Sequence, residues 1–410
     1  MRFDTPLRDE HRHFAAADAA RRAERAREAR GATVSRAEVE VEYLPFGPAD
    51  ADGSPTCEIP AAFAEVELEY AAIRSGVAVV DLAHRATVVV RGADRVDFVN
   101  RLVTNDLRRA PEGAVVRAFL TNRKGRIDAD LVIGIGADRL VIETLAHDAD
   151  AVREALERLV FSEDVVVESR AETHHAIGLH GPKAAAAMRA LGLVPSDADA
   201  GARAAWSVAL GEGTADILRV DELGVEGYAI AVPRAQAASL WRSLVTFGAR
   251  PAGWFAVNTA RIEAGTPAFR IDFGPNNLPH ETGVLDTRVS FTKGCYPGQE
   301  VVARMQNLGK PKQRLVGLRM EGDLLPVADA QVFAFVEGGS IGEPVGVVTS
   351  SGLAPMLGAV PVAFAMLASS AYAEGTRVLV NAEGEQAAAT VSPLGFLAQA
   401  AAADAAGGAA

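Results

Sequence analysis

Lys293-Gly294-Cys295-Tyr296-Pro297-Gly298-Gln299-Glu300 is the stretch around which the chain is organised. Two glycines, a proline, a thiol, an ammonium, an amide and a carboxylate occupy eight positions, without the apolar periodicity that packing imposes. Val301, Val302 and Ala303 follow at once. The octet therefore reads as a tight loop feeding a helix, with Pro297 suited to the first turn. A thiol reacts as thiolate, a form favoured by a nearby cation and by the positive end of a helix dipole. Lys293 and Cys295 are thus the candidate catalytic pair. Gly294 and Gly298 let backbone N–H groups approach a ligand closely. Gln299 and Glu300 offer the amide and carboxylate that pair with a pterin or purine edge. The alternative is a Cys295 that is merely a small hydrophobe beside an ordinary helix start.

Working outward, the chain on the N-terminal side reads as strand, helix, paired strands, helix, an α+β order rather than a doubly wound sheet. Strands are predicted at 77–82, 86–91, 114–121, 129–135 and 140–144, and helices at 61–75, 93–102 and 148–159. A second set follows: a strand at 175–181, a helix at 183–191, a strand pair at 217–220 and 228–232, and helices at 234–247 and 252–264. The segment 44–60, with four prolines, and the segment 266–292 read as loops. Beyond Pro311 the texture changes to five short strands separated by turns, at 315–320, 332–336, 345–350, 360–367 and 377–380, an all-β module. Residues 11–30 are rich in helix formers of mixed charge, and the tail from Ala398 reads as low-complexity chain that frays.

At 410 residues the chain exceeds a single hydrophobic core. Its net charge of −12 argues against a nucleic-acid binder. Cys57 and Cys295 are the only cysteines, so neither a disulfide framework nor a self-contained zinc or iron–sulfur site is expected. The histidines His84, His174, His175, His180 and His280 show no metal spacing. No signal-peptide pattern opens the chain, and the uncharged run 345–373 is broken by Pro355 and Pro361. A cytoplasmic protein with no membrane segment is the expectation.

Further polar positions qualify as ligand contacts. In Asn122–Arg126 and the strand after it, Asp128 and Asp130 share one strand face and Ala129 the other. Asn105, Arg261 and Glu263 are candidates as well, each with a structural alternative as a cap or an inter-domain bridge. Tyr296, Gly298, Gln299 and Glu300 complete the cofactor-binding set.

Together these stretches resemble a known family. KGCYPGQEVVAR resembles the signature of the YgfZ family, folate-binding proteins linked to iron–sulfur cluster assembly and repair. VVDLAHRATVVVRGADRVDFVNRLVTNDL, TNRKGRIDADL, RIEAG and RLVGL resemble landmarks of the wider glycine-cleavage T-protein superfamily, over roughly residues 60–395. The resemblance implies an α+β protein of three domains forming a ring: two interleaved α+β domains, at 46–80 with 172–249 and at 81–171 with 250–305, and a C-terminal β-barrel at 310–397. Residues 1–45 form an extension and 398–410 a tail. Tetrahydrofolate is the implied cofactor, in a central pocket with Cys295 at its rim and no metal site. Iron–sulfur client or assembly proteins are the implied partners. The aminomethyltransferases of this superfamily carry an Asp-Asp pair before the leucine matching Leu131, and the first, catalytic Asp falls on Ala129. That departure, with Val257 replacing an arginine and Ala229 a glutamate, argues against aminomethyl transfer, and the octet within the superfamily frame points to an accessory protein in cluster assembly or repair. A tetrahydrofolate-dependent aminomethyltransferase is the alternative.

Overall fold

The computed structural model describes residues 2–30, 41–195, 203–337 and 341–407. Of the predicted extension and tail, residues 1, 31–40 and 408–410 lie outside them. Two sheets and a barrel make up the body. The first sheet has the order Ala205–Leu210, Gly213–Val220, Gly227–Pro233, His174–His180, Ala78–Asp81, Arg250–Pro251. The second has the order Val115–Thr121, Ile127–Ile135, Arg139–Leu145, Arg85–Arg91, Val166–Ser169. The first sheet draws strands from both sides of the second in sequence, because the chain passes from Ala78–Asp81 into Arg85–Arg91, completes the second sheet by Val166–Ser169 and returns at His174–His180.

Each sheet buries its outer face under its own helices. Val79, Ile177, Ile217 and Ile230 pack on Leu240, Trp241 and Leu244 of helix Arg234–Phe247. Val88, Leu131, Ile133 and Ile142 pack on Phe98 and on Val152 and Leu156 of helix Ala146–Glu157. Burying such a side chain fully contributes about 1.5–3 kcal/mol. The inner faces meet through a smaller apolar contact, Val132 and Val141 against Leu218, Val220 and Ala229. Beside it the two sheets enclose a cavity.

Residues 313–392 close into a six-stranded barrel, Gln313–Met320, Val360–Ala368, Ile341–Ala354, Gln331–Phe335, Arg377–Ala382, Glu385–Ser392. Helix Trp254–Ala264 packs against helix Val66–Ser75 on one side and barrel strand Ile341–Ala354 on the other. It stands with the first sheet and the barrel, although it was grouped by sequence with the second α+β unit.

Several elements differ from the reading of the sequence. The irregular segment 44–60 is bracketed by a hairpin-like pair, Glu42–Pro45 with Glu58–Ala62. Strands Val166–Ser169, Ala205–Leu210 and Glu385–Ser392 were not foreseen; Ala205–Leu210 is an edge strand with alternating burial and little β-branched content. The tail, expected to fray, forms helix Phe396–Gly407, anchored by fully buried Phe396 stacked on Phe364 at 6.2 Å. Its alanines favour helix once that anchor fixes the first turn. Among the described residues no helix is long and apolar enough to cross a membrane.

Candidate active site

Strand Ile127–Ile135 sets the geometry. Alternation sends Ile127, Ala129 and Leu131 to the core and Asp128, Asp130 and Val132 to the other face. Asp130 lines the cavity between the sheets. Arg288, on the short helix Leu285–Arg288, grips it with Nε–Oδ1 3.1 Å and Nη2–Oδ2 3.4 Å. The arginine is 4% exposed. Its carbonyl accepts from Thr104 Oγ1 at 2.6 Å, which fixes the backbone behind it. A fork of this kind holds a carboxylate in one orientation.

Two more carboxylates face the cavity. Arg85 Nη1 lies 3.3 Å from Glu143 and Arg85 Nη2 3.6 Å from Glu222, while Arg117 Nη1 donates to Glu222 at 2.9 Å. Burial alone would raise Glu222, but Arg85 and Arg117 outweigh it and hold this carboxyl far below the ordinary range. Burial pushes Glu143 up, and the neighbouring charge of Glu222 adds to that; Arg85 only partly offsets it. One of the pair thus stays ionised while the other is biased towards its protonated form.

Apolar and aromatic groups complete the wall, chiefly Phe46, Val80, Leu145 and Trp254. The His84 ring stands 4.5 Å from that of Phe46, centroid to centroid. Burial depresses His84 to about 3, with Arg85 pushing the same way, and depresses His180 to about 4 against the pull of Glu222. Both imidazoles are neutral at pH 7. Arg261 lies over Trp254 at 5.5 Å and donates to Asp272 at 2.6 Å and to Ser350 Oγ at 2.7 Å. Thr349 and Ser350 also donate to Asp272, at 2.8 and 2.6 Å. The barrel thus braces the cavity wall, and none of its described residues lines it.

The octet is not in this cavity, contrary to expectation. Lys293 is 8% exposed, and its ammonium donates to the carbonyls of Asn100, Val103 (2.5 Å) and Asn105 (3.0 Å). Burial pulls it down to about 8, with Asp106 opposing and Arg108 assisting. Those three carbonyls occupy the ammonium's three donors, so its task is to pin the loop to the end of helix Arg95–Asn100. Gly298, φ 79°, caps helix Gln299–Leu308 where a Cβ would come within 2.3 Å of the Asn122 carbonyl and 2.7 Å of Gly125. Thr121 Oγ1 donates to the Pro297 carbonyl at 2.7 Å. The loop is docked backbone to backbone on the turn 122–126. Tyr296 is buried among Phe119, Ile127 and Val302. Cys295 is exposed, Glu300 is exposed, and Gln299 opens the helix.

The other candidates separate. Asp130 and Arg261 line the cavity; Asn105, Asp128 and Glu263 do not. Asn105 Nδ2 donates to the Arg117 and Thr287 carbonyls, at 2.9 and 3.2 Å, and lies in a neighbouring groove. Asp128 is exposed and accepts from Asn122 at 2.9 Å. Glu263, fully buried, accepts from Tyr70 at 2.5 Å, Arg74 at 2.6 Å and the Met356 N–H at 3.0 Å. It ties helix Val66–Ser75 to the barrel. The sequence reading missed Arg85, Arg117, Glu143, Glu222 and Arg288. Glu143 carried a signal, a lone carboxylate within the apolar strand LVIETL. Arg288 carried none, since only tertiary packing brings it to Asp130. No cluster of three metal-ligating side chains occurs among the described residues.

Two interleaved α+β layers, a C-terminal six-stranded barrel and a cavity of ion-paired carboxylates define a T-protein fold. Residues 23–293 match the GCVT N-terminal domain and residues 313–397 the glycine cleavage T-protein C-terminal barrel domain, and the chain belongs to this family. It is 29% identical over 345 residues to an aminomethyltransferase of Moorella thermoacetica, covering 82% of this chain and 91% of that protein. It is 30% identical over 313 residues to one of Rubrobacter xylanophilus, covering 73% and 79%. The glycine cleavage system aminomethyltransferase T from Bartonella henselae superposes with a TM-score of 0.75 at 24% identity, covering 87% of this chain and 94% of that one.

One departure inferred from the sequence loses its force here. Ala129, where the sequence reading puts the first Asp of the pair, is 1% exposed and packed in the core of the second sheet. A side chain at 129 points away from the cavity whatever its chemistry. The position that faces the cavity is 130, and it is an aspartate. Ala229 and Val257 do leave apolar wall, but Glu143 and Glu222 supply carboxylates from other strands.

Proposed function

We propose that the protein transfers a one-carbon unit to tetrahydrofolate in the manner of an aminomethyltransferase, with Asp130 as the catalytic carboxylate. The observation that carries this reading is the Asp130–Arg288 pair, a carboxylate locked in orientation on the cavity wall. Tetrahydrofolate supplies a nucleophilic ring amine as acceptor. The chain supplies the rest. Asp130 Oδ atoms accept and hold a proton from an amine beside them, with Arg288 fixing their direction. Glu143 and Glu222 present a donor and an acceptor to a polar heterocycle edge, and Trp254, Phe46 and Leu145 exclude water from its faces. Arg261 and the neutral imidazoles of His84 and His180 line the same wall and add donors and acceptors to it. The test is Asp130→Asn, assayed for one-carbon transfer from an aminomethyl donor. A loss of about 10²–10⁴-fold with tetrahydrofolate still bound is expected; an unchanged rate overturns the assignment.

A second reading rests on Cys295, exposed on the KGCYPGQE loop away from the cavity. In it the protein serves iron–sulfur client proteins, with the thiol meeting a partner at the surface and cluster ligands coming from that partner. Wild-type support of a cluster enzyme by Cys295→Ala would remove this reading and leave transfer chemistry standing.

A further inference from the structure

We propose that His84 and His180 are specificity-determining residues of the cavity, reading the donor and acceptor edge of an uncharged heterocycle. The inference rests on the folate reading and goes beyond it by assigning the recognition to two imidazoles. His84 and His180 are 7% and 5% exposed, and both line the cavity. Nδ1 of each is buried without a partner among the described residues. Among the described residues neither imidazole makes a hydrogen bond, so both rings stand on the cavity wall with their bonding capacity unused.

The fold makes room for one of these rings. Gly227 lies directly opposite His180 in the ladder between Gly227–Pro233 and His174–His180. A Cβ on Gly227 would stand 2.3 Å from His180 Nδ1, and one on Gly178 would stand 2.8 Å from His180 Nε2. The imidazole lies across two bare Cα atoms. The His84 ring is steadied instead by Phe46, 4.5 Å away. A neutral imidazole carries one N–H donor and one lone pair, so two of them read a mixed donor and acceptor edge. They offer no cation to a carboxylate or phosphate. The reduced pterin head of tetrahydrofolate fits this chemistry, and its anionic tail does not.

The experiment is anaerobic calorimetric titration of the full chain with tetrahydrofolate, comparing wild type, His180→Leu and His180→Gln, with thermal unfolding recorded for each. His180→Leu is expected to weaken binding about tenfold or more, while His180→Gln, which keeps a donor and an acceptor, stays within about threefold. Wild-type affinity in His180→Leu, or equal losses in both variants, overturns the inference while folate binding by the wild type stands. A wild type that does not bind tetrahydrofolate overturns the folate reading and this inference with it. Should His180→Leu fail to fold, His84→Phe carries the same test: about tenfold weaker binding supports the assignment, and unchanged binding overturns it.

Discussion

In the loop 293–300, consecutive residues meet the neighbouring turn 122–126 and the end of helix Arg95–Asn100. In the cavity, Arg85, Asp130, Glu143, Glu222 and Arg288 come from five separate strands, turns or helices. The loop concentrates reactive residue types and spends Lys293, Tyr296 and Gly298 on docking. The cavity gathers its charges from runs that read as ordinary apolar strands. Local density of chemistry and the place where groups converge are thus separate properties of this chain. A short motif is rich in Gly and Lys because close backbone contact needs them, whereas convergence depends on which strands become neighbours.

The difference can be broken from the cavity side first. Arg85→Met removes the cation shared by Glu143 and Glu222 and should lower unfolding free energy by about 3–5 kcal/mol, measured in denaturant. A change under about 1 kcal/mol would mean that Arg117 alone balances the pair.

Acid should act next. His180 is held at about 4 in the folded protein against an ordinary 6.5. As pH falls from 6.5 to 4, the unfolded chain takes up a proton that the folded one refuses, so stability drops through that window. Linkage puts the loss at about 3 kcal/mol for this imidazole. Stability measured across the window should therefore fall less steeply in His180→Gln, and an identical slope would show that His180 is already protonated when folded.

On the loop side, Gly298→Ala forces a Cβ against the Asn122 carbonyl at positive φ and should cost about 2 kcal/mol or more. Chemical denaturation measures it; a neutral result would show that the docking is loose. The smallest effect belongs to exposed Cys295. Cys295→Ser should leave stability within about 0.5 kcal/mol and tetrahydrofolate affinity unchanged. A large loss of affinity would bring the loop back to the cavity and erase the contrast.

Much of the frame was legible in the residues. Most helices and strands followed from apolar period, and the barrel from short strands between turns. The alternation Asp128–Ala129–Asp130 already placed the two carboxylates on one face. What alternation leaves open is which face meets a cavity, because that is set by the helices covering the other side. Here Phe98, Leu131 and Val152 claim the face of Ala129, and so Asp130 turns inward. Likewise, residue types alone mark 293–300 as a loop before a helix. That its lysine binds three carbonyls and its glycine packs on a turn, and that Arg288 reaches Asp130, follows from long-range packing. Local periodicity is written in neighbouring residues, whereas a partner more than a hundred positions away is chosen by the packing of whole sheets.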